Sequence, residues 1–371
     1  MRRTHCTNLV LALATVAGCA DIRDDGQGGS ASSPTTQNPT ETDGADSSSS
    51  GLGTTVSPDT GMTKLDVGAG TGNMTADDGG TNMPGCDKVD FLFIIDNSGS
   101  MADEQQNLIA SFPQFISTIQ NTLDEAQDYH VMVLDTDAWV YAQCPGLCEF
   151  FPSCLLNPTF ECNVTEPMEC EDVLGAGVTW PRGAQATNAD CAFATGARYM
   201  DSDEPDLTAA FECAARVGTG STEDPEKPME AMVAAVTPGT PAAACNEGFI
   251  RDDAILVVTF ITDEDDDPSD GSLGTVEGWR AALVAAKKGD EAAVVVLGLF
   301  GDGDQNGGIC PPFNPDAASG AEPSPRLRQF VDSWGDRGVA GSVCANSYQG
   351  FFEEAVAVID TTCDEYVPPA G

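Results

Sequence analysis

Three stretches of this chain are apolar at nearly every position: residues 89–95 (Val-Asp-Phe-Leu-Phe-Ile-Ile), 254–261 and 293–300. Seven or eight residues are too few for a typical helix, and the runs do not alternate apolar with polar as a half-exposed strand would. They therefore read as strands buried on both faces, with residues 129–134 as a shorter companion. Between them lie helical patterns. Leu108, Phe112, Phe115, Ile116 and Ile119 make one stripe at helical spacing, although Pro113 within it implies a kink or a late start. Residues 276–288 and 348–359 read as further helices, and a shorter one is expected near 229–236. Doubly buried strands alternating with helices predict an α/β fold: a doubly wound, mostly parallel central sheet with helices on both faces. In such sheets ligands sit at the carboxyl ends of the strands.

The rest of the chain is organised differently. Residues 1–18 combine Arg2 and Arg3, an apolar run from Leu9 to Ala14, and small residues up to Gly18, which reads as an export signal rather than a domain. Its end, Val16-Ala17-Gly18-Cys19, resembles a bacterial lipobox, which makes Cys19 the expected lipidation site; the ordinary alternative is secretory cleavage nearby. Ala20 after Cys19, where an aspartate would signal inner-membrane retention, points to the outer membrane. Residues 19–85 are rich in Ser, Thr, Gly and Asp and read as a disordered tether, with a reach on the order of 40–50 Å. The domain is expected over 86–364, with 365–371 as a tail. Residues 138–218 lack periodicity and hold seven cysteines, at 144, 148, 154, 162, 170, 191 and 213, so they read as an insertion stapled by disulfides.

Charge and cysteine content narrow the function classes. The formal net charge is −43, and residues 86–371 carry 12 basic against 49 acidic side chains. Such a surface repels nucleic acid and anionic lipid, so no nucleic-acid partner is expected, and the membrane is expected to be met only through the lipid anchor. Of 14 cysteines, Cys6 leaves with the signal and Cys19 is consumed by lipid. The remaining even set reads as disulfides of an exported protein. Zinc is the poorer explanation, because CxxC pairs are absent and His130 is the only histidine outside the signal.

The most specific signal follows the first strand directly: Asp96-Asn97-Ser98-Gly99-Ser100, a DxSxS motif. A short loop at a strand end can turn one carboxylate and two hydroxyls toward a point, and such oxygen donors suit a hard cation. Together with the later strand ending in Thr262-Asp263, the pattern resembles the von Willebrand factor type A family over roughly residues 88–362, apart from the insertion. The resemblance implies a metal-ion-dependent adhesion site whose ligands fall on Asp96, Ser98 and Ser100, on an aspartate at Asp263, and on a threonine from a second loop. Thr222 is the expected threonine. Thr219 and Ser221 remain open, and Glu226 takes that place if the helix begins at Pro228. The run Asp263-Glu264-Asp265-Asp266-Asp267 departs from the family's Thr-Asp-Gly, which leaves room for Ca2+ or a second ion. The ordinary reading of the run is a solvated acidic turn. Another acidic loop, 302–307, begins like a calcium loop but has Phe313 where a ligating Glu belongs, so a plain turn is expected.

The resemblance also implies that the two ends of the domain meet, which makes Cys86–Cys363 the first expected disulfide, followed by Cys213–Cys245 and Cys310–Cys344. It implies a divalent metal, Mg2+ first with Ca2+ or Mn2+ as alternatives, and a protein partner that completes the coordination with an acidic residue. An enzyme is not expected, since His130 lies within a strand with no cue for a triad. The two other readings are an envelope-assembly domain that uses metal only for stability, and a metal-assisted hydrolase.

Overall fold

The computed structural model describes residues 85–122, 128–137, 169–219, 226–269, 271–314 and 319–369. All of them belong to the second of two units into which the chain divides, residues 75–371. Cys19, the signal and the tether as far as residue 84 lie outside the described residues.

The apolar runs form the strands they imply. β1 (Lys88–Ile95), β2 (Asp128–Asp135), β3 (Met200–Asp201), β4 (Ile255–Ile261), β5 (Val294–Phe300) and β6 (Gly338–Ser342) make one sheet in the order β3-β2-β1-β4-β5-β6. Every pairing is parallel except that of β3 with β2. All residues of β4 and β5 are buried, because helices cover both faces. Phe91, Phe93 and Ile95 point to one side, with residues of α1 (Ala102–Thr122), α2 (Leu207–Ala215) and α7 (Gln349–Glu365). Leu92 and Ile94 point to the other, with residues of α3 (Pro228–Val236), α5 (Val276–Ala286) and α6 (Pro325–Asp332). The short α4 (Pro241–Cys245) lies beside α3. This is the doubly wound α/β architecture expected from the strand pattern. Among the described residues no helix is long and apolar enough to cross a membrane.

Several local expectations change. Pro113 neither delays nor ends α1; it sits on the exposed side of a continuous helix, where the carbonyl deprived of its partner can be hydrated. Part of the presumed insertion belongs to the sheet domain: β3 pairs with β2, Val178 N–H donates to Val133 O (2.7 Å), and Phe211 of α2 is fully buried against Phe93 and Phe112. Cys363 lies within α7, not after it, and Tyr366, expected in the tail, is only 1 % exposed.

The disulfides follow the faces of the sheet. Cys86–Cys363 joins the entrance of β1 to the last turns of α7, alongside a bond from Gly85 N–H to Tyr366 O (2.9 Å), and Cys310–Cys344 is also present. Cys213–Cys245 is not. Cys213 belongs to α2 on one face and Cys245 to α4 beside α3 on the other, so the sheet separates them. They pair instead as Cys191–Cys213 and Cys170–Cys245. Cys144, Cys148, Cys154 and Cys162 lie outside the described residues.

Candidate metal centre

β1 and β4 are adjacent and in register, Ile95 opposite Ile261, and their connections leave toward opposite sides of the sheet. Their carboxyl ends form the crevice where the strand order reverses. Asp96 follows β1 and its N–H donates to Ile261 O (3.0 Å), which locks the two strand ends together.

The DxSxS loop is a tight turn on the way into α1. Asp96 Oδ1 accepts the Ser98 N–H (2.7 Å), Met101 N–H donates to Ser98 O (3.3 Å), and Ser98 Oγ lies 3.3 Å from Ser100 Oγ. Thr262 Oγ donates to Asp96 Oδ2 (2.6 Å). Gln105, one turn into α1, donates to Asp96 O (2.9 Å) and Gly218 O (2.7 Å), and so ties the DxSxS loop to the second loop. Exposure is 0 % at Asp96, 7 % at Ser98 and at Ser100, and 1 % at Asp263.

Burial of this many acids leaves charge unanswered. Both carboxylate oxygens of Asp263 are buried without a hydrogen-bond partner, and so is one oxygen of Glu104. Burial and then the neighbouring Asp96 charge push Asp263 up to about 7; the Ser100 hydroxyl eases the charge from outside hydrogen-bonding geometry. Burial also raises Asp96, against the bonds from Thr262 and Ser98. Glu226 is raised well above the carboxylate range by burial and by the Asp96 and Asp137 charges. Glu104 is pushed up to about 8, by burial above all, with Asp103 and Asp263 adding to it. Among the described residues no Lys or Arg pairs with any of these four. Buried like charges without a counter-charge are strongly unfavourable, and a bound cation is the ordinary way to relieve them.

The donor set fits a hard cation. Asp96, Ser98, Ser100 and Asp263, expected together, converge at one crevice and offer only oxygen. No group of three or more His, Cys, Asp or Glu with metal-holding geometry occurs among the described residues; hydroxyls are part of this set. Thr222 and Ser221 lie outside the described residues. Thr219 is described, its N–H donating to Ala184 O (2.7 Å). Glu226, the alternative if the helix begins at Pro228 as α3 does, is 4 % exposed and hydrogen-bonded to the Thr136 hydroxyl. Thr136 also donates to Asn97 Oδ1 (3.1 Å).

Thr136, Glu104 and Gln105 escaped the reading of the sequence, which gave Thr262 no role beyond marking the strand end. Thr136 and Thr262 each directly follow a strand that ends at this crevice, and that position was the signal available for them. The acidic run after β4 is not simply a solvated turn. Asp266 is 1 % exposed and accepts the Met229 N–H (3.0 Å) and the Ser272 N–H, while Asp265 faces the N–H groups of Arg326 and Leu327 at the start of α6. In the 302–307 loop, Asp302 accepts the Ile309 and Cys310 N–H groups and Asp304 pairs with Arg328, as in a plain turn.

No protein-family model matches this chain, and no curated protein is found to match it.

Proposed function

We propose that this protein is an exported, lipid-anchored envelope protein whose von Willebrand factor type A-like domain binds a divalent metal and, through it, an acidic residue of a protein partner. The observation that carries this reading is the buried Asp263 carboxylate, unpartnered on both oxygens beside a second buried aspartate and two serine hydroxyls. Asp96, Ser98, Ser100 and Asp263 would hold the ion, with Thr222 or Glu226 supplying the second-loop contact. Mg2+ is the first expectation, and Ca2+ or Mn2+ the alternatives. When bound, the ion supplies a positive centre able to take a carboxylate from outside. The protein's own part is to hold oxygen donors rigidly at a strand crevice and keep bulk water from them. Ser98 and Ser100 are read as ligands of the ion rather than as nucleophiles, so binding is proposed over hydrolysis. The lipobox-like end at Cys19, Ala20 after it and the polar segment 19–85 support display from an outer membrane.

The near-complete burial of the four described donors favours one further reading, in which the ion serves stability alone. Two measurements separate them. Isothermal titration of Mg2+, Ca2+ and Mn2+ into the purified protein reads the metal affinity. Pull-down from envelope and matrix fractions with and without chelator reads its use: a binder loses its partner in chelator, whereas a structural domain keeps it. No heat of binding for any of the three ions would refute the metal assignment.

A further inference from the structure

The row that α1 turns to the core is apolar at Leu108, Phe112, Phe115 and Ile119, with Met101 just ahead of the helix, and Gln105 interrupts it at 4 % exposure. A buried amide is costly unless its polar atoms find partners. Gln105 finds them on the main chain of two loops. Its Nε2 donates to Asp96 O (2.9 Å) and to Gly218 O (2.7 Å), and its Oε1 accepts the Gly218 N–H (3.2 Å). The opposite orientation of the amide would set its oxygen against two carbonyls, so the network fixes which way it points.

The two loops depend on this side chain unequally. Asp96 is also held by its own N–H on Ile261 O (3.0 Å), by the Ser98 N–H on Oδ1 (2.7 Å) and by the Thr262 hydroxyl on Oδ2 (2.6 Å). Gly218 bonds through both its N–H and its carbonyl to Gln105 and, among the described residues, to nothing else. The opposite side of Gly218 is closely packed. Its φ is +97°, and a Cβ there would lie 2.7 Å from Ala184 O and 2.8 Å from Ala186 Cβ. The far end of the second loop is fastened separately. Lys227 N–H donates to Thr136 O (3.2 Å), Glu226 is bonded to the Thr136 hydroxyl, and that hydroxyl lies 3.1 Å from Asn97 Oδ1. Both ends of the second loop are therefore tied to the DxSxS motif, the near end through Gln105.

We propose that Gln105 is the positioning residue that sets the second loop at the metal centre, so that this loop meets the ion with an oxygen of its own rather than through water. The inference rests on the metal-dependent reading and deepens it. Asp96 keeps its other supports without Gln105, Ser98, Ser100 and Asp263 make no bond to it, and the second-loop contact alone depends on it. Loss of the amide therefore leaves a site that still binds metal, with one protein oxygen fewer and a water in its place.

Gln105→Met keeps the length and burial of the side chain and removes all three bonds. Mn2+, one of the expected ions, is added below stoichiometry to the full chain at physiological ionic strength. Broadening of its EPR lines in 17O-enriched water counts the waters it keeps, and only the signal that Mg2+ displaces is read. The expected result is one more coordinated water in the variant than in the wild type, with Mg2+ affinity lower by about 10- to 100-fold. Asn107→Ala is the control, because it removes a different loop tie from the same helix, Asn107 Nδ2 to Ala345 O (3.2 Å). It is expected to lower the melting temperature and leave the water count unchanged. An unaltered count in Gln105→Met, whatever its melting temperature, overturns the positioning role and leaves the metal reading standing, and so does an equal gain of water in Asn107→Ala. Should Gln105→Met fail to fold, Gln105→Asn, whose amide is one methylene too short to span both loops, reads the same difference. Wild-type protein without Mg2+-displaceable Mn2+ overturns the positioning role and the metal reading together.

Discussion

Asp263 illustrates how a single side chain can oppose the stability of the fold that holds it. It is 1 % exposed, unpartnered, and next to the Asp96 carboxylate. Replacing it by Asn removes the repulsion while keeping the shape. Asp263→Asn is therefore expected to stabilise the metal-free protein by on the order of 1–3 kcal/mol and to abolish metal binding, read by thermal scans in chelator and by titration. A destabilised variant would mean that Asp263 has a counter-charge after all. Ser98 and Ser100 differ, because they bring no charge. The double variant Ser98→Ala, Ser100→Ala is expected to remain folded and to weaken metal affinity by at least about 100-fold, the upper range for losing even an outer-shell partner. Unchanged affinity would remove these hydroxyls from the ligand set.

At the scale of elements, the crevice exists because β1 and β4 end together while their connections diverge. β1 is also held at its opposite end. Asp90, fully buried within it, accepts from Arg251 N–H and Nε (both 2.8 Å), so this interior charge is answered, unlike those at the crevice. Cys86–Cys363 closes the domain by joining the start of β1 to α7 across 277 residues of sequence. In the loop-entropy model such a crosslink contributes about 5 kcal/mol, less here because other disulfides already restrict the unfolded chain. The double variant Cys86→Ser, Cys363→Ser is expected to lower the denaturation midpoint without changing metal affinity. Peptide mapping without reduction should return Cys170–Cys245 and Cys191–Cys213. A Cys213–Cys245 peptide would mean that α2 and α4 do not lie on opposite faces.

For the whole molecule, the buried acids set an unusual pH response. Glu104 and Asp135 are both pushed up to about 8, by burial first and then by neighbouring carboxylates. A carboxyl with a folded pKa above its unfolded value binds its proton more tightly when folded. Its folded state is therefore favoured at low pH and loses ground as pH rises from about 4 to about 8, at about 1.4 kcal/mol per pH unit for each fully shifted group. Asp135 keeps partial exposure, which reduces its share. On the acid side the sign reverses: Asp253, held low by its hydrogen bond from Lys88, stabilises above about pH 4 and loses this as pH falls. The metal-free protein is expected to be most stable near pH 5 and to melt at progressively lower temperature toward pH 8, with Mg2+ flattening that decline. Melting temperatures that climb from pH 5 to pH 8 in chelator would show that these carboxylates are compensated.

What the sequence by itself determined is whatever depends on neighbours along the chain. Doubly buried strands show as unbroken apolar runs, and residues 89–95, 254–261 and 293–300 needed nothing else. Asp96, Ser98 and Ser100 stood out as a DxSxS motif directly after such a run, where an α/β sheet binds its ligands, and Asp263 was singled out by what the family resemblance implies at the end of another. Short or weakly apolar elements were not legible: β3 has two residues, β6 is Gly-Val-Ala-Gly-Ser, and α2 is alanine-rich, so packing rather than pattern makes them regular. Only the tertiary structure decided which distant groups meet. It put α2 and α4 on opposite faces and so exchanged the partners of Cys213 and Cys245. It brought Thr262 to Asp96 across 166 residues and Glu226 to Thr136 across 90. Local sequence encodes backbone preference and burial, whereas these contacts arise from the order in which strands pair, and that order is fixed by how the whole core packs.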